Sequence, residues 1–324
     1  MSSKVTERLA RWAKEIDYGL VLPALGRLPR PLAHRLSDLR GSLSSRLKGG
    51  SWRTCIENAA LAFPERSREE LGHIIRQAAR TLSRDEMESY WFGHRLDWFE
   101  PMMEVEGLQD LEAAISSKKG VLFFTGHFGS TGTVIAYLAK RGFPINLIFR
   151  HTDEVEGMPR PWYRYAKKRV RLLEQACRRP VLYTGKSHYF GMRRALRKGE
   201  IAIMGLDVMP SLVGRTVEID LLGRKALLPD GAARLFRDTG ARAVFWFNHW
   251  KKGVHRVTIQ DRTPSLDGIT DLPALTQELF RPVEEMITRH PEEWLMWEAF
   301  DQFLVEDGTI NEHEKVGRWP DSRQ

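Results

Sequence analysis

The stretch that decides the fold is Val121-Leu122-Phe123-Phe124-Thr125-Gly126-His127-Phe128-Gly129-Ser130-Thr131-Gly132. Four consecutive apolar residues read as a buried strand, a histidine follows between two glycines, and Val134 to Ala139 then takes up a helical pattern. A strand running through a tight turn into a helix is the repeating step of an open α/β sheet. Ligand and catalytic groups in such sheets collect at the carboxyl ends of the strands. His127 is therefore placed where an active-site base is displayed, with Gly126 and Gly129 permitting the turn. A histidine in this setting is also compatible with a plain core position, so the surrounding sequence has to decide.

Further strand-like runs at Ile145–Phe149, Val181–Tyr183, Ile201–Met204 and Ala243–Phe247 alternate with helical patterns around 162–176, 191–197 and 232–238. That alternation predicts a mostly parallel mixed sheet flanked by helices. Val254–Ile259 follows Gly253 and is expected to pair antiparallel with the preceding strand. Thr276–Arg289 reads as a closing helix stopped by Pro291. The first ninety-odd residues read as helical, with Ser67 and Glu70 spaced as a capping box ahead of a long periodic segment. The organisation expected is a basic helical extension over 1–50, one α/β domain over 51–305, and a polar tail over 306–324.

Composition limits the function classes. The chain has 324 residues, 42% of them hydrophobic and 28% charged, and no apolar run approaches the roughly 18 residues needed to span a bilayer. Cys55 and Cys177 have no metal-like spacing, so neither a zinc site nor a disulfide framework is expected, and a reducing cytoplasm fits. Walker, dinucleotide and Gly-x-Ser-x-Gly patterns are all lacking, which leaves His127 as the main chemical candidate.

The formal charge of +8 is unevenly spread. Residues 1–50 carry ten Lys/Arg against four Asp/Glu, and Leu32, Leu36, Leu39, Leu43 and Leu47 recur at helical spacing beside Arg30, Arg35, Arg40, Arg46 and Lys48. Such a helix either suits an anionic membrane surface or packs its leucines on the domain. A second block, residues 159–200, holds thirteen Lys/Arg against Glu174 and Glu200, with Arg164, Lys167, Lys168 and Arg169 at its centre. It would suit a strongly acidic partner. Nothing in the sequence resembles a zinc finger, an RNA-binding aromatic pattern or a helix-turn-helix, so nucleic acid is not expected.

Taken together, these segments resemble the lipid A late acyltransferases, the lauroyl and myristoyl transferases of the lysophospholipid acyltransferase superfamily. Gly126-His127-Phe128-Gly129 matches the first half of their Gly-His-Phe-Gly-Asn-Trp-Glu block. The resemblance runs in order from about Trp52 to Trp297. It takes in Glu57 to Glu65, Val105 to Leu108, Phe149-Arg150, Ala195 to Glu200, Asp207, Leu222 to Ala226, and His290-Pro291-Glu292-Glu293-Trp294-Leu295-Met296-Trp297.

The resemblance implies a glycerol-3-phosphate/lysophospholipid acyltransferase-like fold and transfer of an acyl group from an acyl carrier protein or CoA thioester. No metal or other cofactor is implied. His127 would be the general base, and Arg150 and Asp207 would assist it. Gly126, Gly129, Ser130 and Thr131 would border the substrate, and Gly223, Arg224 and Lys225, read as preceding a helix near Pro229, would receive an anionic group. Arg164, Lys167, Lys168 and Arg169 would bind the acidic carrier. Attachment to the inner face of the cytoplasmic membrane would be peripheral.

One departure stands out. Where the family has an acidic residue five positions after the histidine, this chain has Gly132, and Ser130 and Thr131 replace the Asn and Trp. A carboxylate there would orient the imidazole and stabilise its protonated form; in catalytic triads, loss of that function lowers turnover by about 10⁴. Three readings stay open. Another acid takes over, Asp207 first and then Glu154 or Asp153; the acceptor is an amine needing less base assistance; or the chain has become a non-catalytic lipid- or carrier-binding homologue. Glu298 and Asp301, where the family has a basic ending, favour an acceptor other than ordinary lipid A.

Overall fold

The computed structural model describes residues 3–47, 49–151, 158–184 and 188–305. The strands are β1 (Met103–Glu106), β2 (Val121–Thr125), β3 (Ile145–Asn146), β4 (Ile148–Phe149), β5 (Leu182–Tyr183), β6 (Ile201–Gly205), β7 (Thr216–Leu221), β8 (Arg224–Pro229), β9 (Arg242–Lys251) and β10 (Val254–Asp261). Six of them form the main sheet in the order β1-β10-β9-β2-β6-β3. Every pairing is parallel except the β9–β10 hairpin. Its central strands are buried on both faces, as continuous apolar runs require. Val121, Phe123, Ile201, Ile203, Val244 and Trp246 enter one core, while Leu122, Phe124, Ala202, Ala243 and Phe245 enter the other.

The helices are α1 (Ser3–Ile16), α2 (Leu22–Leu25), α3 (Arg30–Leu47), α4 (Gly49–Ala62), α5 (Arg68–Glu88), α6 (Leu108–Ser116), α7 (Thr131–Lys140), α8 (Arg160–Cys177), α9 (His188–Arg197), α10 (Gly231–Thr239), α11 (Thr263–Leu266) and α12 (Leu272–Arg289). Helix α5 opens on the expected capping box. The Ser67 hydroxyl accepts from the Glu70 amide, and the Glu70 carboxylate accepts from the Ser67 amide.

Three expectations need correction. Ile145–Phe149 is two short strands: β3 edges the main sheet, whereas β4 leaves it to pair with β5, so Val181–Tyr183 is not a main-sheet strand either. Leu222 to Ala226 does not lead into a helix; Leu222 and Gly223, both at positive φ, turn the β7–β8 hairpin, and α10 starts only at Gly231. Strand β1 lies within a segment to which the periodicity assigned nothing. Four alternating residues carry too little apolar signal, and its partner β10 lies some 150 positions away. Asp153, Glu154 and residues 306–324 lie outside the described residues.

Helix α3 is turned opposite to a usual surface helix. Leu32, Leu39 and Leu43 are exposed, while Ala33, Ser37, Gly41 and Ser45 face inward. The inward face is held to α5 by polar contacts. Arg40 donates to Asp17 and Glu86, Arg84 to Asp38, and Ser37 to the Ser83 carbonyl at 2.7 Å. Gly41 is required there, because a Cβ would sit 2.6 Å from the α5 backbone. The glycine lets the helices approach closely enough for this network. Arg40→Ala, which leaves the buried Glu86 carboxylate uncompensated, is expected to cost about 3–5 kcal/mol. Leu39→Ala should change stability by no more than about 0.5 kcal/mol. Urea denaturation of both variants checks the orientation of the helix.

Candidate active site

The parallel register of two strands builds the centre of the site. In the β2–β6 pair, Val121 lies opposite Ile201 and Thr125 opposite Gly205. The Leu206 amide extends the ladder by donating to the Thr125 carbonyl at 2.9 Å. Two residues past the last pair on each strand come His127 and Asp207, separated by the same 80 positions. His127 Nδ1 lies 2.8 Å from Asp207 Oδ1, and the His127 amide donates to Asp207 Oδ2 at 2.7 Å. Asp207 therefore engages both the ring and the backbone of the histidine.

Trp294, fully buried, also donates its indole Nε1–H to Asp207 Oδ2, at 2.8 Å. Burial alone would raise the pKa of this carboxyl. The His127 charge and the hydrogen bonds from His127 and Trp294 outweigh it and hold Asp207 below the usual carboxylate range. Conversely, the Asp207 charge raises the pKa of His127, against some loss of solvation. An ionised carboxylate can only accept, so the proton of neutral His127 resides on Nδ1 and Nε2 keeps a lone pair. Half of the imidazole side-chain surface is open. This is the arrangement of a reachable general base with an orienting acid behind it.

Close backbone approach explains the glycines. A Cβ on Gly126 would stand 3.0 Å from Asp207 Oδ2 and 2.8 Å from the Phe128 ring. Gly129, at φ +55°, would bring one to 2.6 Å from the Asn248 carbonyl. Ser130 occupies the N-cap of α7 but makes no capping bond with its side chain. The first turn of the helix presents amide donors to developing negative charge.

Gly132 lies in that turn. A Cβ there would meet the Phe92 ring at 2.8 Å and Arg169 Nη2 at 3.1 Å. Arg169 makes a two-pronged pair with buried Asp85, at 2.6 and 2.9 Å, and both groups act electrostatically on His127. The expectation that Arg169 belongs to an exposed basic patch is thus corrected: it faces inward, while Arg164 and Lys167 on the same helix are exposed and Lys168 lies over the Tyr90 ring.

The remaining sequence candidates fall elsewhere. Arg150 follows β4, in the small sheet, and not an edge of the main one. Gly223 turns the hairpin; Arg224 Nε donates to the Leu61 carbonyl, and Lys225 pairs with Asp220 at 2.9 Å. Asp301 accepts from Asn58 at 3.0 Å, so this carboxylate has a structural use. Trp294 was missed as a site residue. Its only signal was membership of the His290–Trp297 segment, and nothing in the local pattern places an indole against an aspartate 87 positions earlier. Among the described residues, no group of three or more His, Cys, Asp or Glu side chains could hold a metal ion.

Asp207→Asn should lower the His127 pKa by removing its largest raising influence, which a histidine NMR titration reads directly. Asp207 contributes stability once ionised, and His127 contributes until pH rises through its raised pKa. The stability lost in Asp207→Asn is therefore greatest between about pH 3.8 and 6.5, the ordinary values of the two groups, and shrinks on either side.

A family model described as bacterial lipid A biosynthesis acyltransferase matches residues 4–299. A search of curated proteins gave no match.

Proposed function

Because the chain belongs to the bacterial lipid A biosynthesis acyltransferase family, we propose that it transfers an acyl group from a carrier or CoA thioester to a hydroxyl or amine, with His127 as general base and Asp207 as its acid partner. The observation that carries this reading is the 2.8 Å contact between His127 Nδ1 and Asp207 Oδ1. It supports the reading in which a second acid takes the part of the one absent at position 132. A hydroxyl acceptor then becomes as tractable as an amine.

In the proposed reaction, Nε2 of His127 removes the acceptor's proton as its oxygen or nitrogen attacks the thioester carbonyl. Asp207 stabilises the resulting imidazolium through Nδ1–H. The oxyanion of the tetrahedral intermediate would be stabilised by amide donors at the start of α7, where Ser130 makes no side-chain capping bond. When the intermediate collapses, the C–S bond breaks, and the thiolate leaving group takes the proton back from Nε2. The products are an acyl ester or amide and a free thiol. Arg150 and the turn at Gly223 to Lys225 remain candidates for binding an acceptor phosphate.

An acidic carrier protein fits the exposed cations of α8, including Arg164 and Lys167. The outward leucines of α3, with exposed Trp12, Leu20 and Val21 and the exposed Arg27 and Arg35, fit peripheral attachment to an anionic membrane surface. Among the described residues, no helix is long and apolar enough to cross a membrane.

Intact-mass analysis of products formed from a panel of acyl carrier thioesters and a cell extract tests the central reading. The wild-type protein should yield an acylated species, His127→Ala should abolish it, and Asp207→Asn should slow it by on the order of 10³–10⁴. Full turnover by His127→Ala would exclude the mechanism, and silence across the whole panel would favour a binding protein. Charge reversal at Arg164 and Lys167 should raise KM for the carrier thioester with little change in kcat, most at low salt. Leu39→Glu with Leu43→Glu should weaken co-sedimentation with phosphatidylglycerol vesicles; unchanged sedimentation would remove the role given to α3.

A further inference from the structure

The segment His290–Trp297 takes no part in the chemistry above, yet it laces the histidine loop along its whole length. The Gly129 amide donates to the Glu293 carbonyl at 2.9 Å, and the Leu295 amide donates to the His127 carbonyl at 2.9 Å. Between these bonds, Phe128 and Trp294 form an antiparallel bridge. The segment is anchored in turn: Glu293 Oε1 accepts from the Trp250 amide, Glu293 Oε2 from the Thr81 hydroxyl, and the Pro291 carbonyl from Trp297 Nε1.

Trp294 is held by its neighbours. Its ring meets Trp297 edge-on at 4.7 Å and Phe300 at 5.9 Å, and it is fully buried. Packing this tight fixes the direction of the indole N–H. That N–H and the His127 amide both end on Asp207 Oδ2, which leaves Oδ1 as the oxygen facing the imidazole.

We propose that Trp294 is a positioning residue for the His127–Asp207 couple: it grips the carboxylate by Oδ2, so that Oδ1 alone meets Nδ1, and thereby sets the basicity of Nε2. The inference rests on the function proposed above. Its physical basis is that each donor to a carboxylate draws charge from it and weakens its pull on the histidine proton. Removing the indole N–H concentrates charge on Asp207 and strengthens that pull.

The other charged groups acting on His127 are Asp85 of α5 and Arg169 of α8, which oppose each other. Glu293 lies next to Trp294 in sequence but directs its carboxylate toward Thr81 and Trp250, where Arg84 and Glu292 are its charged neighbours and burial raises its pKa to about 7. Since its midpoint lies near that of a histidine, Glu293→Gln serves as a control that removes its titration.

The test is Trp294→Phe, which keeps an aromatic ring and removes the N–H. With histidine labelled at the ring carbon, the His127 midpoint should rise by about 0.5–1 pH unit. The acidic limb of kcat/KM should move with it, and KM should stay unchanged. Glu293→Gln should leave the His127 midpoint within about 0.2 unit. In the wild-type protein, the Trp294 indole N–H resonance should titrate with the His127 midpoint and lose that dependence in Asp207→Asn, a measurement that does not require the Phe variant to fold. An unmoved midpoint in folded Trp294→Phe, or an indole resonance blind to the His127 titration, would overturn the proposal. A shifted midpoint in a protein that transfers no acyl group would instead retire the acyl-transfer reading, while transfer with an unshifted midpoint would retire this inference alone.

Discussion

The geometry of the candidate site depends on the register of one pair of parallel strands. Because β2 and β6 pair with a constant offset, their two continuations leave the sheet side by side, and His127 meets Asp207 without any specialised loop. The sheet thus supplies the alignment before any side chain contributes. Burial on both faces fixes that register: sliding one strand by a residue would exchange the Phe123 and Phe124 faces and send every side chain into the wrong core. The energy that fixes the His127–Asp207 pair therefore comes from apolar packing well below it.

A second constraint comes from the last turn of α5. Asp85, Glu86 and Glu88 are all buried, and each carboxylate engages different elements. Asp85 takes Arg169 from α8, and Glu86 takes Arg40 from α3 and the hydroxyl of Tyr18. Glu88 accepts from His34 of α3, His255 of β10 and Thr133 of α7. Burial works against its charge, but the two histidines hold its pKa well below the ordinary range. Three acids close together on one helix end thereby tie the N-terminal helices, the main sheet and the helix following the histidine loop to a common point. Ion pairs this deep contribute little net stability over apolar packing, but they penalise any arrangement that leaves one partner unmatched.

Much of the main sheet was legible because its central strands are continuous apolar runs that no helix period explains. The histidine loop was legible for the same reason, since glycines on either side of a polar residue at a strand end have few other uses. Asp207 could be singled out from its place after the run Ile201–Leu206. Its pairing with His127 needed the knowledge that β2 and β6 are neighbours, which periodicity does not carry. The reading failed where the signal was short or non-local. Leu227 and Leu228 were too few to reveal the hairpin strand β8, and the α3 leucines gave a correct helix but left its orientation open, because periodicity fixes a stripe without saying what it faces. Trp294 was illegible because an indole's hydrogen-bond partner is chosen by tertiary packing.

The crowding around Gly132 bears on how such a site can change over successive mutations. An acidic side chain at that position and the present Phe92 and Arg169 compete for one volume, since even a methyl group would overlap the Phe92 ring. Placing an acid there would require the ring and the guanidinium to yield, and moving Arg169 would strand Asp85 as a buried charge. An acid at the start of α7 and the present packing of Phe92, Arg169 and Asp85 are thus competing uses of one volume, and which of them the chain can carry is decided by neighbours on other elements.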